Sequence, residues 1–351
     1  MKHLTWFGIL ATSILFCSTV IAQNGGLKFT LTDLGTIAVG GYQSEAWAIN
    51  NNGQVVGDYL WTIKRLSGQG CFSKLPGQAA VPFGTSPCSA RAVNASGAIA
   101  GWMKYGTGTH AFRRDASGTI TDLPPVTSGQ DSYGYGIDYN GNVVGQESGY
   151  GNAQALQWDL GGHATVLYCG NVNVFGAFAT NSGGISVAGY CVTTPVLWVF
   201  GSPIYLSTLE QSCLFYQKAT PYAMNQSNHL VGSSQANSDC FTNPHAVLWG
   251  QNYAIVDLGA GAIAYAISSD DWIVGDYYPG PGAFLRVSDP VCPQMVNLNL
   301  LLDSSAAGWS VIAANGINDG HQVVGQGLAP NGQYHAILLT PANNLPLCQP
   351  D

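Results

Sequence analysis

The stretch Ala46-Trp47-Ala48-Ile49-Asn50-Asn51-Asn52-Gly53-Gln54-Val55-Val56-Gly57 decides how the chain is read. Two short extended runs rich in Ala, Ile and Val flank a polar Asn-Asn-Gly turn, which is the pattern of a tight β-hairpin. The phrase recurs to the end of the chain. Its closing glycines are Gly57, Gly101, Gly145, Gly189, Gly232, Gly275 and Gly325, giving steps of 44, 44, 44, 43, 43 and 50 residues. Self-similarity at that period marks a repeat architecture. Asn228, Asp271 and His321 replace the turn glycine, and the copy from Asn181 to Gly189 carries one extra residue, read as a β-bulge.

A second phrase follows each closing glycine by about ten residues, as in His110-Ala111-Phe112, Val196-Leu197-Trp198, His245-Ala246-Val247-Leu248-Trp249 and His335-Ala336-Ile337-Leu338. A third comes after it, clearest as Thr121-Asp122-Leu123 and Val256-Asp257-Leu258-Gly259. Each unit thus offers four short extended runs, and helical periodicity is sustained nowhere. These phrases resemble the HAF repeat family of extracellular repeat proteins, through the His-Ala-Phe tripeptide at 110–112 and its degenerate copies across the chain after residue 22. The resemblance implies export and a propeller-like fold, with no activity or catalytic residues to carry over.

Four strands in about 44 residues fit a propeller blade, whose sheet is covered on both faces by its neighbours. Val55-Val56 and Ala246-Val247-Leu248-Trp249 suit such a two-sided sheet, and the small residues of the first strands, Ala46 and Ala48 or Ala264 and Ala266, suit a crowded inner rim. The seventh unit has only three runs before Pro341 and Pro346, whereas Leu31-Thr32-Asp33-Leu34-Gly35 stands alone before the first unit. The fold expected is therefore all-β: a seven-bladed β-propeller of four-stranded blades, closed by the N-terminal strand pairing with the C-terminal blade. Closure of this kind removes two open sheet edges.

Lys2 and His3 precede an apolar run from Leu4 to Ile21, and Val20 and Ala22 suit a cleavage site, so residues 1–22 read as a signal peptide and 23–351 as one propeller domain. With 11 Lys plus Arg against 19 Asp plus Glu, the chain has no basic stripe for phosphates, which excludes a nucleic-acid partner. Eight cysteines follow the signal, and an even number in an exported chain suggests disulfides. Once strand order assigns loops to faces, the neighbours Cys71 with Cys88, Cys169 with Cys191, Cys213 with Cys240 and Cys292 with Cys348 pair without crossing the disc. No metal-ligand spacing occurs, and no metal, cofactor or membrane span after cleavage is expected.

The turns between first and second strands are tight and line one face. The loops between second and third strands and between blades are long and aromatic and line the other, where binding concentrates. Residues expected to carry a ligand are Asp58, Tyr59, Trp102, Tyr105, Glu147, Tyr150, Tyr190, Asp276, Tyr277 and Tyr278. Flat rings beside carboxylates suit a polar ring-shaped ligand such as a sugar. The reading is of a secreted, extracellular or periplasmic, monomeric and non-catalytic binding module for a glycan or a protein. The alternative is a polysaccharide hydrolase or lyase using Glu147, Glu45, Asp58 and Asp276. No Gly-x-Ser-x-Gly or His-Glu-x-x-His motif appears.

Overall fold

The fold follows from how each repeated hairpin is built. In the computed structural model, which describes residues 26–148, 153–170, 174–181, 183–209, 219–236, 243–288, 294–343 and 347, the first repeat forms strands Gly41–Ile49 and Val55–Ile63 joined through Asn50 to Gln54. The Asn50 side chain organises that turn, its oxygen accepting the backbone N–H groups of Asn52 and Gln54. Asn94, Asn225 and Asn318 cap their own turns in the same way. The last turn position needs a left-handed backbone: Gly53, Gly97 and Gly141 have φ of 75°, 87° and 91°, and Asn228, Asp271 and His321 have 59°, 63° and 56°. Asn and Asp tolerate that region better than other side chains.

One irregularity recurs in all seven hairpins. Ala46 pairs with Gly57 and Ala48 with Val56, so Trp47 is an extra, bulged residue. The same slip makes Arg91, Tyr135, Phe178, Tyr222, Tyr265 and Asn315 the bulged residues of the other first strands. A bulge is thus a property of every repeat. The extra residue between Asn181 and Gly189, expected to form one, instead lengthens its turn: Asn181 N donates to Ser186 O, whereas Asn50 N donates to Gln54 O. The shared bulge also explains the closing glycines, because a Cβ on any of them would run into a first-strand carbonyl oxygen, that of Glu45 at Gly57 and of Tyr133 at Gly145. The two strands approach too closely there for a side chain.

Each hairpin continues into two further antiparallel strands. Leu66–Lys74 and Val81–Phe83 complete the first repeat, and the strands from Cys88 to Leu123, Asp131 to Val166, Val174 to Tyr205, Ala219 to Ala260 and Ala262 to Asn297 form five four-stranded sheets. The remaining sheet has eight strands: the first quartet, then Ser310–Ile317, Val323–Leu328 and Tyr334–Pro341, with Phe29–Asp33 along the last of these. A single parallel pair, Gln43 with Tyr334, joins the two quartets. The second strand of each quartet packs on the first strand of the next, as Val55–Ile63 does on Cys88–Val93, and Val323–Leu328 packs on Gly41–Ile49.

The two faces of each sheet meet different neighbours, so both are apolar. Val55 and Val56 are both fully buried but in different clusters, one with Phe72 and Val324, the other with Cys71, Ile99 and Phe112. Trp158, Trp198 and Trp249 are fully buried on third strands, and their indole N–H groups donate to the carbonyls of Pro124, Tyr168 and Ser207 in the preceding repeat. Such large rings, satisfied at their one polar atom, contribute much of the burial between sheets.

Phe29–Asp33 pairs antiparallel with Tyr334–Pro341, Leu31 opposite Leu339 and Asp33 opposite Ile337. Phe29, Leu31, Leu301, Ile337 and Leu339 share one cluster. Disulfides join Cys71 to Cys88 and Cys169 to Cys191, with Cα atoms 5.2 and 6.2 Å apart. Cys213, Cys240, Cys292 and Cys348 lie outside the described residues. Among those residues no helix is long and apolar enough to cross a membrane.

Two outcomes are expected. Gly145→Ala should lose about 1–3 kcal/mol, since backbone must shift to admit the methyl, whereas Gly320→Ala, which meets only ordinary contact, should melt as wild type. Removing residues 27–36 should lower the melting temperature of the whole protein in one cooperative transition; an unchanged melt would mean that the strand is dispensable.

Candidate functional site

A bulge turns its extra residue out of the strand's alternation. Trp47, Arg91, Tyr135, Phe178, Tyr222, Tyr265 and Asn315 are accordingly all half-buried, each following a buried residue. Several of them meet. The Arg91 guanidinium lies 3.8 Å from the Trp47 ring centroid. Phe178 lies 5.3 Å from Tyr135 and 6.1 Å from Tyr222, and Tyr222 lies 5.3 Å from Tyr265 in an edge arrangement. Asn315 donates to Glu45 Oε1 at 2.9 Å and to the Ala46 carbonyl at 3.0 Å, which ties the last first strand to the earliest one. Five aromatic rings, one guanidinium and one amide therefore form a belt.

Carboxylates rim this belt. Asp58, cross-strand from Glu45, accepts the Trp47 indole N–H at 2.8 Å and the Ser89 hydroxyl. Asp276 accepts the Ala314 backbone N–H at 2.9 Å. Burial pushes the Asp276 carboxyl up to about 7, against the lowering effect of that N–H and helped by the charge of Glu45. Burial likewise raises Glu45, opposed by the Asn315 hydrogen bond. Burial lowers Arg91, opposed by Asp58 and Glu45, and lifts the Tyr135 hydroxyl to about 12.

The residues expected from sequence divide by strand parity, since successive side chains point to opposite faces. Asp58, Trp102, Tyr190 and Asp276, one place after their glycines, lie on the belt side. Tyr190 stacks on Phe178 with centroids 5.6 Å apart, and Trp102 meets Tyr133 edge-on at 5.9 Å. Tyr59, Glu147 and Tyr277, one place further, turn away from it. Tyr59 packs with Ala46 and Phe72, and Tyr277 lies 5.7 Å from Phe284. Glu147 is 0% exposed and accepts from Thr127 N, Thr127 Oγ1 and Gln154 Nε2, so it anchors a loop rather than facing a ligand. Glu147 is thus removed from the carboxylates available to a catalytic pair. Tyr105 and Tyr278 are exposed, at 52% and 48%, and Tyr105 stacks on His110 away from the belt. Tyr150 lies outside the described residues.

Sequence reasoning missed the belt itself. Its signal stood in the variable letter of Ala-x-Ala, which reads Trp, Arg, Tyr, Phe, Tyr, Tyr and Asn down the seven repeats. The conspicuous histidines serve the scaffold. His110, His245 and His335 bind Asp122, Asp257 and Asp33 at 2.8, 2.8 and 2.9 Å, third strand to fourth-strand position, while Asp33 and Asp257 also accept from Gly35 N and Gly259 N. Among the described residues no cluster of three His, Cys, Asp or Glu side chains is placed to hold a metal ion. A separate cleft of about 510 Å³, lined by Gln54, Ser73, Pro76, Phe83 and Arg114, opens beside the tight turns and has no carboxylate in its lining.

No protein-family model matches the chain, and no curated protein matches it by sequence. Solved structures match by shape. Virginiamycin B lyase from Staphylococcus aureus matches with a TM-score of 0.53 at 13% identity, over 90% of this chain and 99% of that one. The β-propeller domain of the trilobed protease from Pyrococcus furiosus, described as having an open velcro topology, matches at 0.52 and 7% identity over 93% and 97%. The acylaminoacyl peptidase of Pyrococcus horikoshii matches at 0.51 and 9% identity, over 89% of this chain and 54% of that one.

The raised Asp276 carboxyl fixes a pH dependence. Its folded value lies above that of an unfolded aspartate, so its contribution to stability is fully present below about pH 4 and is lost as pH rises through about 7. Asp276→Asn, neutral throughout and still able to accept the Ala314 N–H, should match wild type below about pH 4 and melt progressively higher than wild type as pH rises to about 7 and beyond. Equal losses for both proteins between pH 5 and 8 would remove Asp276 as the cause. Shape, unlike this titration, is shared with the solved structures, and at such identities the likeness speaks for the fold alone: this is an all-β protein of propeller type.

Proposed function

We propose that the chain is an exported, seven-bladed propeller, related to the HAF repeat proteins, that binds a carbohydrate non-catalytically at the mouth of its axial channel. Three repeated devices support closure into a ring, because each also spans the junction between last and first repeats. The Asn318 side chain donates to the Asn50 carbonyl as Asn50 does to Asn94 and Asn94 to Asp138. Ser44 accepts from Ala336 N and donates to Gly35, much as Ser132 accepts from Ala111 N and donates to Leu123. His335 holds Asp33, from the N-terminal strand, as His110 and His245 hold the aspartates of their own sheets. The two disulfides suit an oxidising compartment, extracellular or periplasmic, entered through a signal peptide at residues 1–22.

The observation that carries the ligand reading is the belt. Trp47, Tyr135, Phe178, Tyr222 and Tyr265 offer ring faces, while Glu45, Asp276, Asn315 and Tyr hydroxyls offer hydrogen bonds at its rim. Sugars present apolar faces and hydroxyl edges in the same alternation. A second reading draws on Asp276: a carboxyl held protonated near neutral pH suits general acid work, as in a polysaccharide hydrolase or lyase with Glu45 as its partner.

Glycan-array screening of the oxidised protein, followed by calorimetry, tests this. Tyr222→Ala and Tyr265→Ala should each weaken oligosaccharide binding about fivefold or more, the equivalent of about 1 kcal/mol for one stacking ring, with Ser117→Ala on the opposite face unchanged. Binding that survives both tyrosine substitutions overturns the site. Turnover of a bound polysaccharide that disappears in Asp276→Asn while binding persists moves the assignment to the enzyme.

A further inference from the structure

The seven belt residues include a single cation, stacked on its neighbour. Asp58 fixes the Trp47 indole through a 2.8 Å hydrogen bond, and the Trp47 ring in turn carries the Arg91 guanidinium at 3.8 Å. Arg91 Nε is buried with no acceptor, and Arg91 makes no ion pair or hydrogen bond among the described residues. Asp58 and Glu45 act on it only through space, the first being engaged by Trp47 and Ser89 and the second by Asn315. A buried Nε–H without an acceptor is costly, and the rest of the half-buried guanidinium keeps its donors open. It is stacked on an indole and neighboured by Tyr135, and a guanidinium so placed keeps a planar set of donors for a single acceptor group.

We propose that the site, in a proposal that rests on the carbohydrate reading, selects sugars bearing a carboxylate, such as uronic acids, and that Arg91 is the specificity residue that receives the carboxylate. The fork geometry of guanidinium matches a planar carboxylate with two parallel N–H···O bonds. The rings of Tyr135 and Phe178, next along the belt, then lie where the pyranose face of the same residue stacks.

The test compares tri-galacturonate with its fully methyl-esterified form, which keeps the rings and removes the charge, alongside a neutral xylo-oligosaccharide. Wild type should bind the acid at least about tenfold more tightly than the ester, the effect of a charge-assisted pair. Arg91→Gln should bind both equally, and Arg91→Lys, which keeps the charge without the fork, should lie between; melting curves for the two variants confirm folding, and either variant alone suffices. Equal wild-type affinity for acid and ester, or an acid preference that survives in both variants, overturns the assignment of Arg91. If the ester and the xylo-oligosaccharide bind in a Tyr222-dependent manner without acid preference, the carboxylate inference fails and the carbohydrate reading stands. If no oligosaccharide binds at all, both fall.

Discussion

The close approach of a bulged first strand to a glycine is the contact on which the rest of this architecture depends. At Gly57 and its six counterparts the partner strand's carbonyl occupies the volume a side chain would need. That steric exclusion ties the register of the hairpin to a glycine, because a residue with a Cβ would meet the Glu45 carbonyl there. It also sets the bulge opposite, and the bulge sends one residue per repeat out of the packed sheet. The residue that escapes is free to vary chemically, and its seven identities become a surface. Scaffold and site are therefore two results of one backbone irregularity.

Repeats that share a backbone need sequence-local rules to join them, and here those rules are hydrogen bonds made by small polar side chains. An asparagine that caps its own turn directs its side-chain donor to the next turn's carbonyl. A serine at the start of a first strand stitches together two strands of the sheet before it. Tryptophans bury a large ring and close their one polar atom on the previous unit. These buried polar groups are satisfied across the joints between sheets, which makes the joints specific as well as tight. Glu45 and Asp276 also bond across such joints, to Asn315 and Ala314 N, and they are the carboxyls raised by burial.

Much of the fold was legible because its signals are periodic. The glycine spacing, the two-sided apolar runs and the orphan Leu31-Thr32-Asp33-Leu34-Gly35 correspond to hairpins, covered sheets and the pairing with Tyr334–Pro341. The site was less legible for a reason of parity. Tyr59, Tyr277 and Glu147 look from sequence like neighbours of Asp58 and Asp276, yet one step along a strand reverses a side chain, and they turn away from the belt. Trp47, Arg91 and Tyr265 stand in a column with no fixed letter, and a search for recurring residues passes over such a column. Variation within an otherwise fixed phrase was the signal. His110 and Asp122 recur for the opposite reason, as partners in a fixed strand-to-strand contact.

The pairing of Asp33 with His335 spans 302 residues of chain. A contact of that separation carries a large loop-closure entropy and forms late, after the intervening hairpins have reduced the effective length between its ends. Until it forms, the strand Tyr334–Pro341 has one uncovered edge, and Phe29 and Leu31 have no apolar surroundings. The strand Phe29–Asp33 thus depends for its burial on the far end of the chain. Its short alternating apolar sequence stays a free strand while the rest folds, and another molecule's open edge is a template of the same shape.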